Sequence, residues 1–365
     1  MQKQIKQVPA NDSFGVLTSL RSALDEEIVL FVTGPEINGV KPVVDLSEVV
    51  IDPDTVLIVE SSGSTGVPKR IQISKSALLY SAEKSLEVLG GAGQWLLTLP
   101  LTFIAGIQVF TRSLVSDLQP VLMNTQMPFT VEAFVRGASL LDGPRKYTSL
   151  VPTQLKRLAD EIDTDAFLYS TLRKFDAILV GGQKPDLNVV LKLRSMGINI
   201  VTTYGMTETC GGCVYDSVPL PGVSIEIVEG RIQISGPVLA QGLGNSFLTQ
   251  DLGQLVSGKL EVLGRADRVI ASGGIKVSLD RVEEILGQIP GVQEVVAVAI
   301  SDSQWGERVG IGFSGSPEVE VSIHLEESLG PAAKPVVVSH FADLPRLHTG
   351  KLDRLTIAQL LGNSI

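Results

Sequence analysis

Residues 61–70 combine the residue types that bind phosphate groups. They read Ser-Ser-Gly-Ser-Thr-Gly-Val-Pro-Lys-Arg and follow the apolar run 56–59, which predicts a loop at the end of a strand. The glycines let the backbone approach a ligand, the hydroxyls and amides donate hydrogen bonds, and the lysine adds positive charge. The candidate phosphate ligands are Ser62, Gly63, Ser64, Thr65, Gly66 and Lys69.

The spacing of this loop excludes the commonest phosphate-binding loop. Only two residues separate Gly63 from Gly66, and the lysine follows three positions later. A Walker A loop instead needs four residues between its glycines, followed directly by Lys and Ser or Thr. The sequence therefore disfavours a P-loop kinase or GTPase. Taken alone, the loop is equally typical of a solvated linker.

Three distant segments favour the ligand-binding interpretation. Residues 202–212 read Thr-Thr-Tyr-Gly-Met-Thr-Glu-Thr-Cys-Gly-Gly, residues 264–276 read Gly-Arg-Ala-Asp-Arg-Val-Ile-Ala-Ser-Gly-Gly-Ile-Lys, and residues 345–354 read Pro-Arg-Leu-His-Thr-Gly-Lys-Leu-Asp-Arg. With the first loop, and in this order, they resemble the adenylate-forming superfamily of acyl-CoA synthetases, luciferases and peptide synthetase adenylation domains. The resemblance implies an enzyme that activates a carboxylate with ATP.

Activation of a carboxylate with ATP builds negative charge on phosphorus oxygens, so the site requires amide donors, a cation and a divalent metal. Glu208 is the candidate ligand of Mg²⁺, which favours hard oxygen atoms, and Thr207 is the candidate donor to a phosphate oxygen. Without the resemblance, this pair is more typical of a helix start than of a ligand site. Lys351 taken alone is typical of a solvated surface charge, but the resemblance implies that it stabilises charge during adenylation.

The resemblance assigns roles to further residues. It implies that Asp251 and Arg265 bind the ribose hydroxyls of ATP. It places adenine between Gly181, Gly182, Gln183, Thr203 and Tyr204, although the two glycines alone are typical of a simple turn. It makes Asp267 the hinge of a mobile C-terminal domain. It assigns CoA to Gly273, Gly274 and Lys276, where a thin pantetheine arm would fit.

The short chain and residues 99–109 and 204–216 resemble the compact actinobacterial o-succinylbenzoate-CoA ligases of menaquinone biosynthesis. This resemblance implies adenylation of the acid with release of pyrophosphate, followed by acyl transfer to CoA. The candidate substrate-binding residues are Ile104, Gly106, Gln108, Gly205, Gly211 and Gly212. Arg112 or a backbone amide is the candidate for the second carboxylate of the acid. Thr102–Phe103 replaces a histidine that such ligases often contain.

Other functions remain open at this stage. The chain could be a ligase for another aryl or acyl acid, or it could load a carrier-bound pantetheine. A non-catalytic adenylate-binding protein would be expected to lack Glu208 or Lys351, and both are present. The pair Cys210 and Cys213 is open to three interpretations: a redox couple, half of a zinc site, or small residues of a pocket wall.

Composition excludes several classes of partner. The 365 residues carry a formal net charge of -10, which disfavours general binding to nucleic acid or anionic membranes. The apolar runs are shorter than the ~20 residues that a transmembrane helix needs, and the N-terminus leads into no signal-peptide core. We therefore expect a cytoplasmic protein whose partners are a small acid, ATP and CoA. The sequence leaves monomer and homodimer equally open.

Alternating helix and strand patterns predict an α/β fold with mainly parallel strands. We expect a large layered α/β domain at 1–264, with a shortened N-terminus and a β-rich subdomain, and a small mobile α+β lid domain at 265–365. The predicted helices include 12–25, 74–89, 106–115 and those following Pro152 and Pro185. The predicted strands include 28–33, 56–60, 95–99, 148–151, 177–180, 198–201, 223–228, 231–235, 259–263, 292–300, 319–325 and 335–339.

Overall fold

A computed structural model of the chain describes residues 3–61, 69–316, 325–326, 328–346 and 352–363. The phosphate-loop candidates Ser62, Gly63, Ser64, Thr65 and Gly66 lie outside these residues, as does Lys351. Their predicted roles are therefore not tested by the structure.

The described residues form twenty strands. They are β1 Gln4–Pro9, β2 Ile28–Thr33, β3 Thr55–Ser61, β4 Lys69–Ser74, β5 Gln94–Leu97, β6 Val121–Leu122, β7 Lys146–Leu150, β8 Ala177–Val180, β9 Ile200–Met206, β10 Gly211–Tyr215, β11 Val218–Pro219, β12 Ser224–Val228, β13 Arg231–Ser235, β14 Ser246–Val256, β15 Lys259–Arg265, β16 Val269–Ser272, β17 Ile275–Ser278, β18 Val292–Asp302, β19 Gly306–Gly315 and β20 Val337–His340.

The longer helices of the described residues lie between these strands. They are α1 Ser13–Leu24, α2 Lys75–Val88, α3 Ile104–Val115, α4 Val131–Ser139, α5 Pro152–Glu161, α6 Ala166–Leu172, α7 Leu187–Ser195, α8 Leu279–Leu286 and α9 Arg354–Gly362. Side chains cap several of them: Asp12 accepts from the amide of Gly15, and Ser74 accepts from that of Ala77. None of the helices in the described part of the chain is both long enough and apolar enough to cross a bilayer.

A seven-stranded sheet positions most of the candidate residues of the first half of the chain. Its order is β11-β10-β9-β8-β7-β5-β6. Strands β5 to β9 pair in parallel, whereas β10 and β11 are antiparallel to their neighbours. The carboxyl ends of β8 and β9 therefore lie at the same edge, where ligands gather in parallel sheets.

A second sheet carries the two ends of the predicted phosphate loop. Its order is β1-β2-β3-β4, and the last pair is antiparallel. The strand predicted at 56–60 is present as β3, and Ser61 pairs with Lys69 at the start of β4. The sheet thus fixes the backbone at both ends of the loop.

The chain divides into two compact units, and the fold is α/β as predicted. The first contains Met1–Glu226, Gln233–Phe247 and Val256–Leu260, and the second contains Ile227–Ile232, Leu248–Leu255 and Glu261–Ile365. The second unit includes a five-stranded sheet with the path β17-β16-β19-β18 and β20 paired to β19. The boundary between residues 264 and 265 stays a prediction.

Several predicted elements agree closely with the structure, and others do not. Strands β2 and β13 match their predicted ranges, and α2 lies within the predicted helix 74–89. Residue 325 was predicted to be extended, but it is helical, and residues 319–324 lie outside the described part. Helices α4 and α6 and nine strands were not predicted: β1, β4, β6, β10, β11, β14, β16, β17 and β19. Most of these strands are short, and short apolar patterns are weak in isolation.

The helices on the seven-stranded sheet share an aromatic core. Phe134 is fully buried, and its ring lies 5.7 Å from that of Phe175 and 5.8 Å from that of Phe129. Strands β5, β7 and β8 contribute apolar side chains to the same cluster. This core holds the sheet edge on which the candidate site lies.

Replacement of a central aromatic residue should destabilise this core. We expect Phe134→Ala to lower the free energy of unfolding by about 3–5 kcal/mol, because it leaves a cavity between aromatic rings. Phe167→Ala on α6 is the control, since that ring is 59% exposed. Urea denaturation of both variants gives the comparison, and equal losses would contradict the prediction.

Candidate active site

The pairing of β9 with β10 brings five candidate residues together: Thr203, Tyr204, Gly205, Gly211 and Gly212. Met206 pairs with Gly211, and Gly205 pairs with Gly212, so the chain reverses direction within 207–210. A Cβ atom at Gly205 would lie 2.0 Å from the carbonyl oxygen of Gly211 and 2.7 Å from the Cα atom of Gly212. Only glycine permits this close approach.

Thr207 and Glu208 lie in a 3-10 helix, Thr207–Thr209, that forms the reversal. The helix-start interpretation of this pair and its ligand-binding interpretation are therefore compatible. The amide of Ala240 donates to the Glu208 carbonyl oxygen at 2.8 Å and fixes the backbone. In the described part of the chain, no side chain binds the Glu208 carboxylate. Its oxygen atoms are hard ligands of the kind that Mg²⁺ prefers. The Thr207 hydroxyl can donate a hydrogen bond to a phosphate oxygen.

Cys210 ends this turn in a left-handed conformation, with φ of 54°, which is uncommon for a residue other than glycine. Its carbonyl oxygen accepts hydrogen bonds from Gln108 Nε2 at 2.7 Å and from Ser81 Oγ at 3.2 Å. Helices α2 and α3 thus both hold the turn from outside the β9–β10 pair.

Gln108 is fully buried, and its amide nitrogen is used within the protein. The Cβ direction of Gly211 points toward Gln108 Cγ, at 3.3 Å, and that of Gly106 points toward the Pro100 carbonyl oxygen, at 2.3 Å. These two glycines therefore allow close packing of protein against protein. Contact of Gln108, Gly106 and Ile104 with a substrate stays a prediction.

Gly181 and Thr203 are brought together where β8 and β9 end. A Cβ atom at Gly181 would lie 2.3 Å from Thr203 Oγ1, and that hydroxyl donates to the Val180 carbonyl oxygen at 3.3 Å. Gly182 has a positive φ of 84°, and Gln183 beyond it is exposed. Together with the partly buried Tyr204, these residues form a surface at the carboxyl edge of the sheet. Its use by adenine stays a prediction.

A second group of candidates lies in the second unit. Arg265 forms two hydrogen bonds with Asp267, at 2.8 Å and 2.6 Å, and a longer one with Asp251 at 3.3 Å. The hydrogen bond from Arg265 holds the pKa of Asp267 below its usual range, and the same bond raises the pKa of Arg265. The structure thus brings the two predicted ribose ligands and the predicted hinge residue together.

Two CoA candidates, Gly273 and Gly274, form the turn between β16 and β17, and the third, Lys276, lies on β17. Gly273 and Gly274 both have positive φ, and open space surrounds the Cβ direction of Gly274. A Cβ atom at Gly273 would lie 2.4 Å from the Trp305 ring, and Lys276 pairs with Ala271 across the two strands. Trp305 is half exposed beside the turn. Trp305 was not predicted from the sequence, because its exposure beside this turn depends on tertiary folding.

A buried cation lies one helical turn beyond Gln108. Arg112 is 3% exposed, donates to Tyr215 Oη at 3.1 Å and to Ser85 Oγ at 3.3 Å, and lies 4.8 Å from the Trp95 ring. Its Nε atom has no partner in the described structure, and burial lowers the pKa of the guanidinium. Its partners Ser85 and Tyr215 were not predicted from the sequence.

The cysteines behave as buried apolar side chains. Cys210 and Cys213 are free thiols with no exposed surface. Burial raises the pKa of the Cys213 thiol to about 12, and burial also raises that of Cys210. Such thiols are poor nucleophiles and poor metal ligands. The described residues contain no group of His, Cys, Asp or Glu that could hold a metal on its own.

Comparison with known proteins adds independent evidence. The family model described as "AMP-binding enzyme" matches residues 5–239, and the model "AMP-binding enzyme C-terminal domain" matches residues 281–351. A probable 2-succinylbenzoate–CoA ligase from Mycobacterium tuberculosis is 37% identical over 330 residues, which cover 85% of each chain. A 2-succinylbenzoate–CoA ligase from Lactococcus lactis is 28% identical, over 85% of this chain and 72% of the relative.

Solved structures show the same fold. An o-succinylbenzoate CoA synthetase from Bacillus subtilis, in complex with the acyl-adenylate intermediate, matches with a TM-score of 0.81 at 22% identity. The match covers 97% of this chain and 88% of that one. The same enzyme in complex with ATP and magnesium ion matches with a TM-score of 0.80 at 21% identity, over 97% and 89% of the two chains.

The close approach at Gly205 gives a test of the site's backbone. We expect Gly205→Ala to lower the free energy of unfolding by about 1–3 kcal/mol, because the added methyl group overlaps the Gly211 carbonyl oxygen. Gly34→Ala is the control, since its Cβ atom would lie 3.9 Å from its nearest neighbour, Pro42. Urea denaturation compares the two, and an unaffected Gly205→Ala variant would contradict this account of the β9–β10 pair.

Proposed function

Because the chain belongs to the AMP-binding enzyme family, we propose that it is an ATP-dependent acid–thiol ligase for 2-succinylbenzoate in menaquinone biosynthesis. A carboxylate oxygen of the acid attacks the α-phosphorus of ATP, the bond to the departing pyrophosphate breaks, and an acyl-adenylate forms. The CoA thiol then attacks the acyl carbon, loses its proton, and displaces AMP. The products are pyrophosphate, AMP and the acyl-CoA.

The residues of the β9–β10 turn fit the first reaction. The Glu208 carboxylate, free of described side-chain partners, would hold Mg²⁺, and the Thr207 hydroxyl would donate to a phosphate oxygen. When bound, the metal neutralises negative charge on the phosphate oxygens. Lys69 and Lys351 would add positive charge. The Asp251 carboxylate accepts bonds from ribose hydroxyls, and Arg265 orients that carboxylate.

The observation that carries the proposed substrate is the buried Arg112. Its guanidinium bonds only to the neutral hydroxyls of Ser85 and Tyr215 among the described residues. Buried cations are normally paired with an anion. A diacid such as 2-succinylbenzoate would supply one, because its second carboxylate is still ionised after the first is activated. A Cβ atom at Gly212 would lie 2.9 Å from the Tyr215 ring, so this cluster adjoins the predicted acyl wall.

A panel of acids tests the proposed function. The purified protein should convert ATP to AMP when CoA, Mg²⁺ and 2-succinylbenzoate are all present, and it should respond weakly to benzoate, a fatty acid or amino acids. Turnover with a different acid would keep the mechanism and overturn the substrate. No turnover with any acid would favour an adenylate-binding protein without catalysis.

Loss of the proposed metal ligand should affect adenylation. We expect Glu208→Gln to slow pyrophosphate release by about 100-fold or more, because the neutral amide is a poor ligand for Mg²⁺. Thioester formation from a preformed acyl-adenylate should be much less affected, since pyrophosphate has already departed. Rapid-quench assays of the two half-reactions provide the measurement. Equal losses in both would count against a role confined to adenylation.

Loss of the buried cation should affect recognition of the diacid. We expect Arg112→Met to raise the KM for 2-succinylbenzoate by about 30-fold or more, because a charged hydrogen bond to the second carboxylate is lost. The monoacid 4-oxo-4-phenylbutanoate is the control, since it lacks that carboxylate and should lose little with the variant. A parallel loss for both acids would indicate general damage to the pocket.

A further inference from the structure

Gln108 binds the backbone carbonyl of Cys210. The proposed reaction assigns this carbonyl no contact with the substrate or the nucleotide. Gln108 Nε2 donates to the Cys210 carbonyl oxygen at 2.7 Å and, more weakly, to that of Leu78 at 3.4 Å. Ser81 donates to the same Cys210 oxygen at 3.2 Å. The side chain of Gln108 therefore ties α3 to the end of the turn that carries Glu208.

That carbonyl lies at the most constrained point of the turn. The Cys210 amide donates to the Thr207 carbonyl oxygen at 3.1 Å, and Cys210 itself has a positive φ. A left-handed residue other than glycine persists only where surrounding contacts hold it. The peptide orientation at Cys210 therefore depends on its donors, and the orientation of Thr207–Thr209 depends on Cys210.

The acceptor atom of Gln108 argues against a role in stability alone. Its Oε1 atom is fully buried and has no partner among the described residues. An unpaired buried acceptor is unfavourable, and an apolar side chain of similar size would avoid that penalty. The presence of an amide side chain at position 108 is therefore better explained by the hydrogen bonds that its nitrogen atom donates than by the packing of α3.

We propose that Gln108 is a positioning residue, which acts through the Cys210 carbonyl to hold Glu208 where its carboxylate meets the magnesium ion of bound ATP. This inference rests on the proposed function. It places Gln108 behind the predicted acyl wall, in agreement with the 3.3 Å that would separate its Cγ atom from a Cβ atom at Gly211. It differs from the direct substrate contact that was predicted for Gln108 from the sequence.

Gln108→Met tests the proposal, because methionine keeps the approximate volume and removes the donor. Calorimetry measures ATP affinity for the full chain, without acid, in Mg²⁺ and in EDTA. We expect the gain in ATP affinity due to Mg²⁺ to fall about tenfold, because the hydrogen bond that positions Glu208 is lost. ATP affinity in EDTA should stay within about twofold of wild type. The melting temperature should be unchanged or higher.

Two further variants separate positioning from packing. Thr111→Val is the matched control, because Thr111 is buried on the same helix and, among the described residues, its hydroxyl bonds only to the Ile107 carbonyl oxygen within α3. It should leave the effect of Mg²⁺ intact. Ser81→Ala removes the longer hydrogen bond to Cys210 and should give a smaller loss in the same direction as Gln108→Met.

Each outcome is decisive. A full Mg²⁺ effect in Gln108→Met would overturn the proposal, and so would equal losses of affinity in Mg²⁺ and EDTA. A raised KM for the acid with an intact Mg²⁺ effect would instead make Gln108 a substrate contact. Failure of the wild-type protein to convert any acid would overturn the proposed function, a result that the wild-type assay reveals before any variant is compared.

Discussion

The candidate site depends on how closely β9 and β10 approach each other. The Gly211 carbonyl oxygen occupies the space where a side chain at residue 205 would begin, so the pair can form only with glycine at that position. The tight pairing forces the chain to reverse within one 3-10 turn and a left-handed residue, Cys210. The same backbone thus fixes where Glu208 lies in the turn and the direction of β10.

Helices α2 and α3 supply hydrogen-bond partners to polar groups of β10 and of the turn before it. Along α2, Ser81 and Ser85 lie one turn apart, and along α3, Gln108 and Arg112 do the same. Ser81 and Gln108 both donate to the Cys210 carbonyl oxygen, and Ser85 and Arg112 both bind the Tyr215 hydroxyl. A buried polar arrangement of this kind specifies one conformation, because a shift of either helix would leave polar groups without partners. Two atoms of this arrangement, Gln108 Oε1 and Arg112 Nε, have no hydrogen-bond partner among the described residues.

In the second unit, ion pairs hold the motif residues in place. Arg268 pairs with Asp280 and Glu283 of α8, and Arg354 at the start of α9 also pairs with Glu283. The Arg265 amide donates to Asp280 as well, at 2.8 Å. These ion pairs connect the Gly-Arg-Ala-Asp segment to residues that lie about ninety positions later in the sequence. Such pairs stabilise a single arrangement of α8 and α9 around the five-stranded sheet.

The sequence by itself determined the α/β class, eleven of the twenty strands, and the motif segments that mark the family, because short-range patterns encode strands, turns and motif residues. It predicted that Glu208, Asp251 and Arg265 are functional, but not what Gln108 and Ser81 contact. Gln108 and Ser81 lie 102 and 129 positions from their shared partner Cys210, and only tertiary folding brings such positions together. The tertiary structure also decided that Gly106 and Gly205 allow other backbone segments to approach closely. The role of a glycine depends on which atom occupies the space where a Cβ atom would otherwise lie.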